Sequence, residues 1–160
     1  IYAPTNDKIN YKISSGTVLV QGGTKTTGSW QHIVCTYDGS TQKIYINGSL
    51  SSSQSVTVGV STTTAARIGS KSFGSGAFWQ GFIDVVALWS DDLSATEVTA
   101  IYNGGVDIAL NTDFGDYGKS ADLKGYWRFN EGQGTTTIDE SVDGGNNGTI
   151  VGATWSTTTH

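Results

Sequence analysis

Residues 8–13 (KINYKI) and 17–21 (TVLVQ) alternate apolar and polar positions on either side of Ser14-Ser15-Gly16, a pattern that predicts a β-hairpin. Residues 30–37 (WQHIVCTY) predict a strand, Asp38-Gly39-Ser40-Thr41 a turn, and residues 42–46 (QKIYI) the returning strand. In that return, Ile44 and Ile46 fall on one face and Lys43 and Tyr45 on the other. Asn47-Gly48 marks the next tight turn. Residues 56–60 and 65–68 read as weaker strands, and 70–76 (SKSFGSG) as a loop. A long apolar strand of β-branched and aromatic residues is expected over 79–89, broken by Ser90-Asp91-Asp92. One short helix follows. Ser94 and Glu97 have capping-box spacing, Leu93 and Val98 sit where a hydrophobic staple would close, and Gly104 supplies the stop. Residues 123–129 (LKGYWRF) and 148–155 (GTIVGATW) predict further strands, separated by a turn-rich loop and an acidic, Gly-rich stretch over 138–147. Short connections and near-even strand spacing predict an all-β, antiparallel β-sandwich or jelly roll with one short helix.

Composition narrows the function more than the fold. The chain has 160 residues, enough for one domain with one core, and only 14% of them are charged. Its 22 Gly and abundant Ser, Thr and Asn suit an extended sheet surface with many tight turns. Five Trp, seven Tyr and five Phe supply apolar area that a disordered chain would lack. A net charge of −5, with the nine Lys and Arg scattered, argues against nucleic acid as a partner. Cys35 is the only cysteine, so no internal disulfide forms, and its place in a strand pattern makes it a small core residue. No apolar run is long enough to insert in a membrane as a helix. The sequence opens at Ile1 without Met or a signal peptide, which suggests a processed or excised piece of a longer chain.

Several motifs together resemble a known family. Trp30-Gln31-His32-Ile33-Val34-Cys35-Thr36-Tyr37-Asp38-Gly39, followed by Ile44-Tyr45-Ile46-Asn47-Gly48, resembles the W-x-H-V-A-x-T-Y-D-G … Y-V-N-G signature of laminin G-like domains. These are jelly rolls of the concanavalin A-like lectin/glucanase superfamily. Ala66-Arg67-Ile68-Gly69 looks like the family's R-I-G strand, Gly81-Phe82-Ile83-Asp84-Val85-Val86 like its G-x-I-D-E-V strand, and Leu93-Ser94-Ala95-Thr96-Glu97-Val98 like the start of its helix. The stretch from Leu123 to Trp155 is similar to strands that begin a domain of this family, yet here it follows the strands that end one. The resemblance therefore implies a permuted or fragmentary domain. Residues 1–107 correspond to the C-terminal part of the jelly roll, 108–122 to a linker, and 123–160 to N-terminal strands that pack on 1–107 or on a neighbouring chain. Uncovered strand edges would favour contacts with other copies or a larger parent assembly.

The resemblance also directs attention to three kinds of site. Glucanases of the superfamily carry two glutamates in an E-I-D-x-x-E strand. Here the corresponding run is Phe82-Ile83-Asp84-Val85-Val86-Ala87, and only the central Asp84 remains. A two-carboxylate hydrolysis lacks its pair, so no catalytic residue and no enzyme activity are expected. Related domains often hold a structural calcium ion between an acidic loop and the Asp of the G-x-I-D strand, which nominates Asp84, Asp139, Asn146 and Asn147 as ligands. The competing reading is a solvated Gly-rich loop with a hydrogen-bonded Asp84. For carbohydrate, an aromatic platform with polar neighbours is needed. Phe73, Phe78 and Trp79, in or beside the loop 70–76, could form it, with Asn103 adding a polar contact. The competing reading is that Phe78 and Trp79 cap the end of the sandwich. Trp30, Trp89, Trp127 and Trp155 read as core. The expected function is a non-catalytic extracellular, cell-surface or virion module that binds a glycan or polysaccharide. The alternative is a purely structural fibre, filament or capsid-decoration subunit.

Overall fold

The computed structural model describes residues 7–12, 20–57, 66–70 and 78–158. The chain forms two compact units, Ile1–Ile46 with Leu50–Ile83, and Asn47–Ser49 with Asp84–His160. Every strand pair described is antiparallel, and one α-helix interrupts the strands. The expected all-β class holds.

In the first unit, β1 (Lys8–Tyr11) pairs with β2 (Val20–Thr24), and β3 (Ile33–Tyr37), β4 (Thr41–Ile46) and β5 (Ser49–Ser55) form a three-stranded sheet in that order. Ile33, Cys35, Ile44 and Ile46 stand in register on one face, as the alternation requires, and pack around a core of Ile9, Val20 and Ile44. The β1–β2 ribbon lies on that face through two glycines. A Cβ at Gly22 would come within 2.9 Å of Ser52 Cβ, and one at Gly23 within 2.8 Å of Ile46 Cγ1. Backbone therefore rests directly on the side chains of the opposing layer. Asp38 turns the chain between β3 and β4: its Oδ1 accepts from the N–H of Ser40 (2.9 Å) and of Thr41 (2.8 Å). Asn47 (φ 48°) and Gly48 (φ 75°) both adopt the left-handed conformation that a two-residue hairpin turn requires.

Three expectations change. The strand that returns after Asn47-Gly48 is β5, whose Ser-rich sequence carries no apolar alternation, and Val56 lies just beyond it. Residues 66–68 are not a strand; Ser70 instead makes an isolated bridge with Phe78. The apolar strand expected over 79–89 is reduced to β6 (Val86–Trp89), because Gly81 and Val85 both take positive φ and interrupt extended pairing. The turn Ser14-Ser15-Gly16 and residues 58–60 lie outside the described residues.

In the second unit, β6 pairs with β7 (Leu123–Trp127), and β8 (Thr136–Thr137) with β9 (Gly148–Thr149). The helix α1 (Ala95–Tyr102) carries both capping-box bonds: Glu97 N–H donates to Ser94 Oγ (3.2 Å), and Ser94 N–H donates to Glu97 Oε2 (2.8 Å). Leu93 and Val98 are buried, as the staple predicts. The chain leaves α1 through Asn103 in the left-handed conformation, one residue before the glycine expected to end it. Thr99 Oγ1 donates to Gly48 O (3.2 Å) and the Tyr102 ring covers Gly48, so α1 sits against the Asn47-Gly48 turn. Residues 108–122, expected as a linker, contribute the buried Leu110 and Tyr117. Tyr117 Oη donates to Leu110 O (2.9 Å) and accepts from Trp89 Nε1 (3.0 Å). Gly125 leaves room for the Trp127 ring, which folds back over it.

Candidate functional site

An exposed apolar patch forms on the first unit. Phe78 is 65% exposed, Phe82 56%, Trp79 42% and Ile68 41%. Trp30 and Ile83 also remain open to solvent. These side chains come from three places in the sequence and are tied together by backbone. Trp79 N–H donates to Gly69 O (2.7 Å), and Ser70 bridges Phe78. Trp79 Nε1 donates to Phe82 O (3.2 Å), which engages the polar edge of the indole and ties its orientation to the following backbone. Ile83 Cδ1 closes on Gly69, leaving 3.3 Å to the position a Cβ there would take. The Trp30 and Phe82 rings meet at 6.2 Å between centroids and 42° between planes. Beside Trp30, Gln31 is anchored by both amide atoms, its Nε2 donating to Thr24 O (3.0 Å) and its Oε1 accepting from Thr26 N–H (2.9 Å).

The sequence nominated Phe78 and Trp79, and the structure places both in this patch. Phe73 lies outside the described residues. Asn103 belongs to the second unit, where it caps α1 and its Nδ2 donates to Val106 O (3.2 Å). Phe82 and Trp30 were read as strand and core. Their apolar character carried no sign of exposure. Trp127 is core, as expected, and Trp89 and Trp155 are half-buried with their indole N–H groups bonded to Tyr117 Oη and Gly134 O.

The acidic loop of the second unit brings Asp139, Asn146 and Asn147 together. Asp139 is 6% exposed. Its Oδ1 accepts from the N–H of Tyr126 (2.9 Å) and Ser141 (3.1 Å), and its Oδ2 from the N–H of Asn146 (3.0 Å). Its own N–H donates to Asn147 Oδ1 (2.9 Å). Asn146 is held in turn: its Nδ2 donates to Lys124 O (3.0 Å), and its carbonyl accepts from Trp127 Nε1 (2.9 Å). Burial alone would raise the Asp139 pKa. The nearby Ser141 side chain and the N–H groups of Tyr126, Ser141 and Asn146 outweigh it and hold the carboxyl at about 2. These carboxylate oxygens are engaged by main-chain N–H donors, two at Oδ1 and one at Oδ2. Asp84 Oδ1 accepts from Val85 N–H (3.0 Å), at a residue whose φ of 46° is rare for a β-branched side chain. Among the described residues, no group of three or more His, Cys, Asp and Glu side chains could hold a metal ion.

Several surface cations among the described residues are paired with carboxylates. Lys25 meets Asp7 (3.0 Å), Lys124 meets Asp143 (2.7 Å), Lys119 meets Asp91, and Arg128 meets Asp107. The Cys35 thiol is half-buried against the core, and burial pushes its pKa up to about 12. Among the described residues, no helix is long and apolar enough to cross a membrane.

Antiparallel layers in glycine-mediated contact in the first unit, and one capped helix among the described residues of the second, are those of an all-β sandwich fold. Residues 1–99 match the laminin G-type family of the concanavalin A-like lectin/glucanases superfamily, and the chain belongs to that superfamily. No curated protein matches the chain. A crystal structure of an S-layer domain-containing protein (residues 221–444) from Clostridium thermocellum is similar, at 22% identity and a TM-score of 0.44. That likeness covers 59% of this chain and 49% of the other, so the chain spans about half of its length.

Proposed function

We propose that this chain is a non-catalytic carbohydrate-binding module of an extracellular, cell-surface or virion protein. The observation that carries this reading is the solvent-open cluster of Phe78, Trp79, Phe82 and Trp30. Sugar rings present apolar C–H faces that stack on aromatic rings, and their hydroxyls want fixed amide and carbonyl partners. Trp79, held by its indole N–H, offers such a face in a pre-set orientation. Pre-setting lowers the ordering cost of binding. The superfamily membership is consistent with a glycan ligand. Absence of turnover is supported by Asp84 standing alone where the glucanase motif has two glutamates beside it, Phe82 and Ala87 occupying their places.

The test is titration calorimetry of Trp79→Ala and Phe82→Ala against a panel of polysaccharides and their oligosaccharides. The wild type is expected to bind at least one at millimolar affinity or better, about 4 kcal/mol. Each variant should weaken that binding at least tenfold while the melting temperature stays within a few degrees. Unchanged affinity in both variants would remove the patch as the site. Saturable binding to no member of the panel would favour a purely structural subunit.

A further inference from the structure

We propose that β5 pairs antiparallel with β5 of a second copy of this chain, extending the β3–β4–β5 sheet across a two-fold axis. Among the described strands β5 is the longest, at seven residues, and it lies at the edge of its sheet. Six of its seven residues are exposed, and only Ser52 is half-buried. Long exposed edges are normally guarded by a lysine, an inward charge or a proline. The sequence SLSSSQS has none of these.

Charge selects the occupant. The chain carries a net −5, so most ways of bringing two copies together place carboxylates near carboxylates. Between Lys43 and Arg67 the sequence has no charged residue at all. β5 is therefore an edge whose own residues bring no like charges together when two copies meet. An antiparallel pairing centred on Ser53 sets Ser53 opposite its counterpart, Ser51 opposite Ser55, and Ser52 opposite Gln54. Each pair is small or amide-bearing, neutral and able to hydrogen-bond across the strands. The main-chain groups of each edge would find partners in the other. The axis closes the contact, so the product is a dimer and not an open fibre. This pairing does not depend on the glycan reading, since Phe78, Trp79 and Phe82 are not in β5.

Sedimentation equilibrium of the full chain tests it. The wild type is expected to pass from the mass of one chain to that of two as concentration rises. Ser53→Lys places two ammonium groups on the axis and should raise the dimer dissociation constant at least tenfold, with thermal unfolding unchanged. Ser53→Cys should form a disulfide-linked dimer under mild oxidation, whereas a cysteine at the exposed Ser29 should not; this arm stands even if the lysine variant folds poorly. A wild type that keeps the mass of one chain at every concentration overturns the proposal. So does equal association by Ser53→Lys, or equal cross-linking at Ser29 and Ser53. Oligosaccharide titration of Ser53→Lys separates the two ideas. Binding retained by a monomeric variant confirms that the strand edge acts independently, and dimers that bind no sugar strike only the glycan reading.

Discussion

Replacing Asp139 with asparagine tests how much of the second unit hangs on one carboxylate. The native side chain accepts three backbone N–H bonds, two at Oδ1 and one at Oδ2. Asparagine keeps a single oxygen. If that oxygen stays with Tyr126 and Ser141, the new Nδ2 faces the Asn146 N–H donor to donor. One bond is lost and two lose their ionic component. Lowering the carboxyl from 3.8 to about 2 corresponds to a stabilisation of about 2 kcal/mol at neutral pH. Water reaching the rim of this loop screens the charge, so about 1–2 kcal/mol is expected. The sign with pH follows from the depressed pKa. The contribution is complete above about pH 4 and is lost as pH falls toward about 2. Asp38 also titrates low, so the wild type alone would not isolate Asp139. The difference between wild type and variant does. Amide hydrogen exchange at Tyr126, Ser141 and Asn146, with urea unfolding followed through Trp127, gives a local and a global readout. A penalty under about 0.5 kcal/mol at pH 7, or one unchanged between pH 7 and pH 2.5, would refute the reasoning.

Two further outcomes follow from packing. Gly125→Ala drives a Cβ into Cη2 of Trp127 and to within 2.9 Å of its Cζ3, so the ring must leave and give up its bond to Asn146. The expected loss is about 2–3 kcal/mol, with a changed near-ultraviolet circular dichroism spectrum. Gln42 is fully buried in the first unit, and neither Oε1 nor Nε2 has a hydrogen-bond partner among the described residues. Gln42→Leu removes both polar atoms at similar volume and should raise stability by about 1 kcal/mol or more in urea denaturation; a destabilised variant would show that the amide is satisfied in solution.

Local signals were legible where the chemistry is local. Ser94 and Glu97 cap α1 with the spacing read from the sequence, and Asn47-Gly48 turns the chain as that dipeptide does. β5 was hidden because Ser-rich sequence has no apolar period; its strand state comes from the turn that returns it alongside β4. The run over 79–89 looked like one strand because periodicity cannot register Val85 in the left-handed region. Phe82 and Trp30 carry no sequence mark of their exposure, so half of the aromatic patch was invisible in the sequence. Phe78 and Trp79 were found because they flank a Gly/Ser loop, where apolar rings have less reason to be core. In the acidic loop the residues that cluster were identified, but the main-chain hydrogen bonds that gather them were not. Asp139 takes its partners from amides of residues 126, 141 and 146, and main-chain donors leave no mark in side-chain composition.

Gly22 and Gly23 constrain where recognition can occur. Side chains usually hold two facing sheets about 10 Å apart, and a spacing of that kind can be widened into a cleft. At these two positions the backbone of β2 seats itself on Ile44, Ile46 and the serines of β5, leaving no interlayer thickness there for a guest molecule. At these two described positions a ligand is kept out from between the layers and can be met only on their outer surfaces. Enlarging either glycine would wedge the layers apart and would not open a pocket.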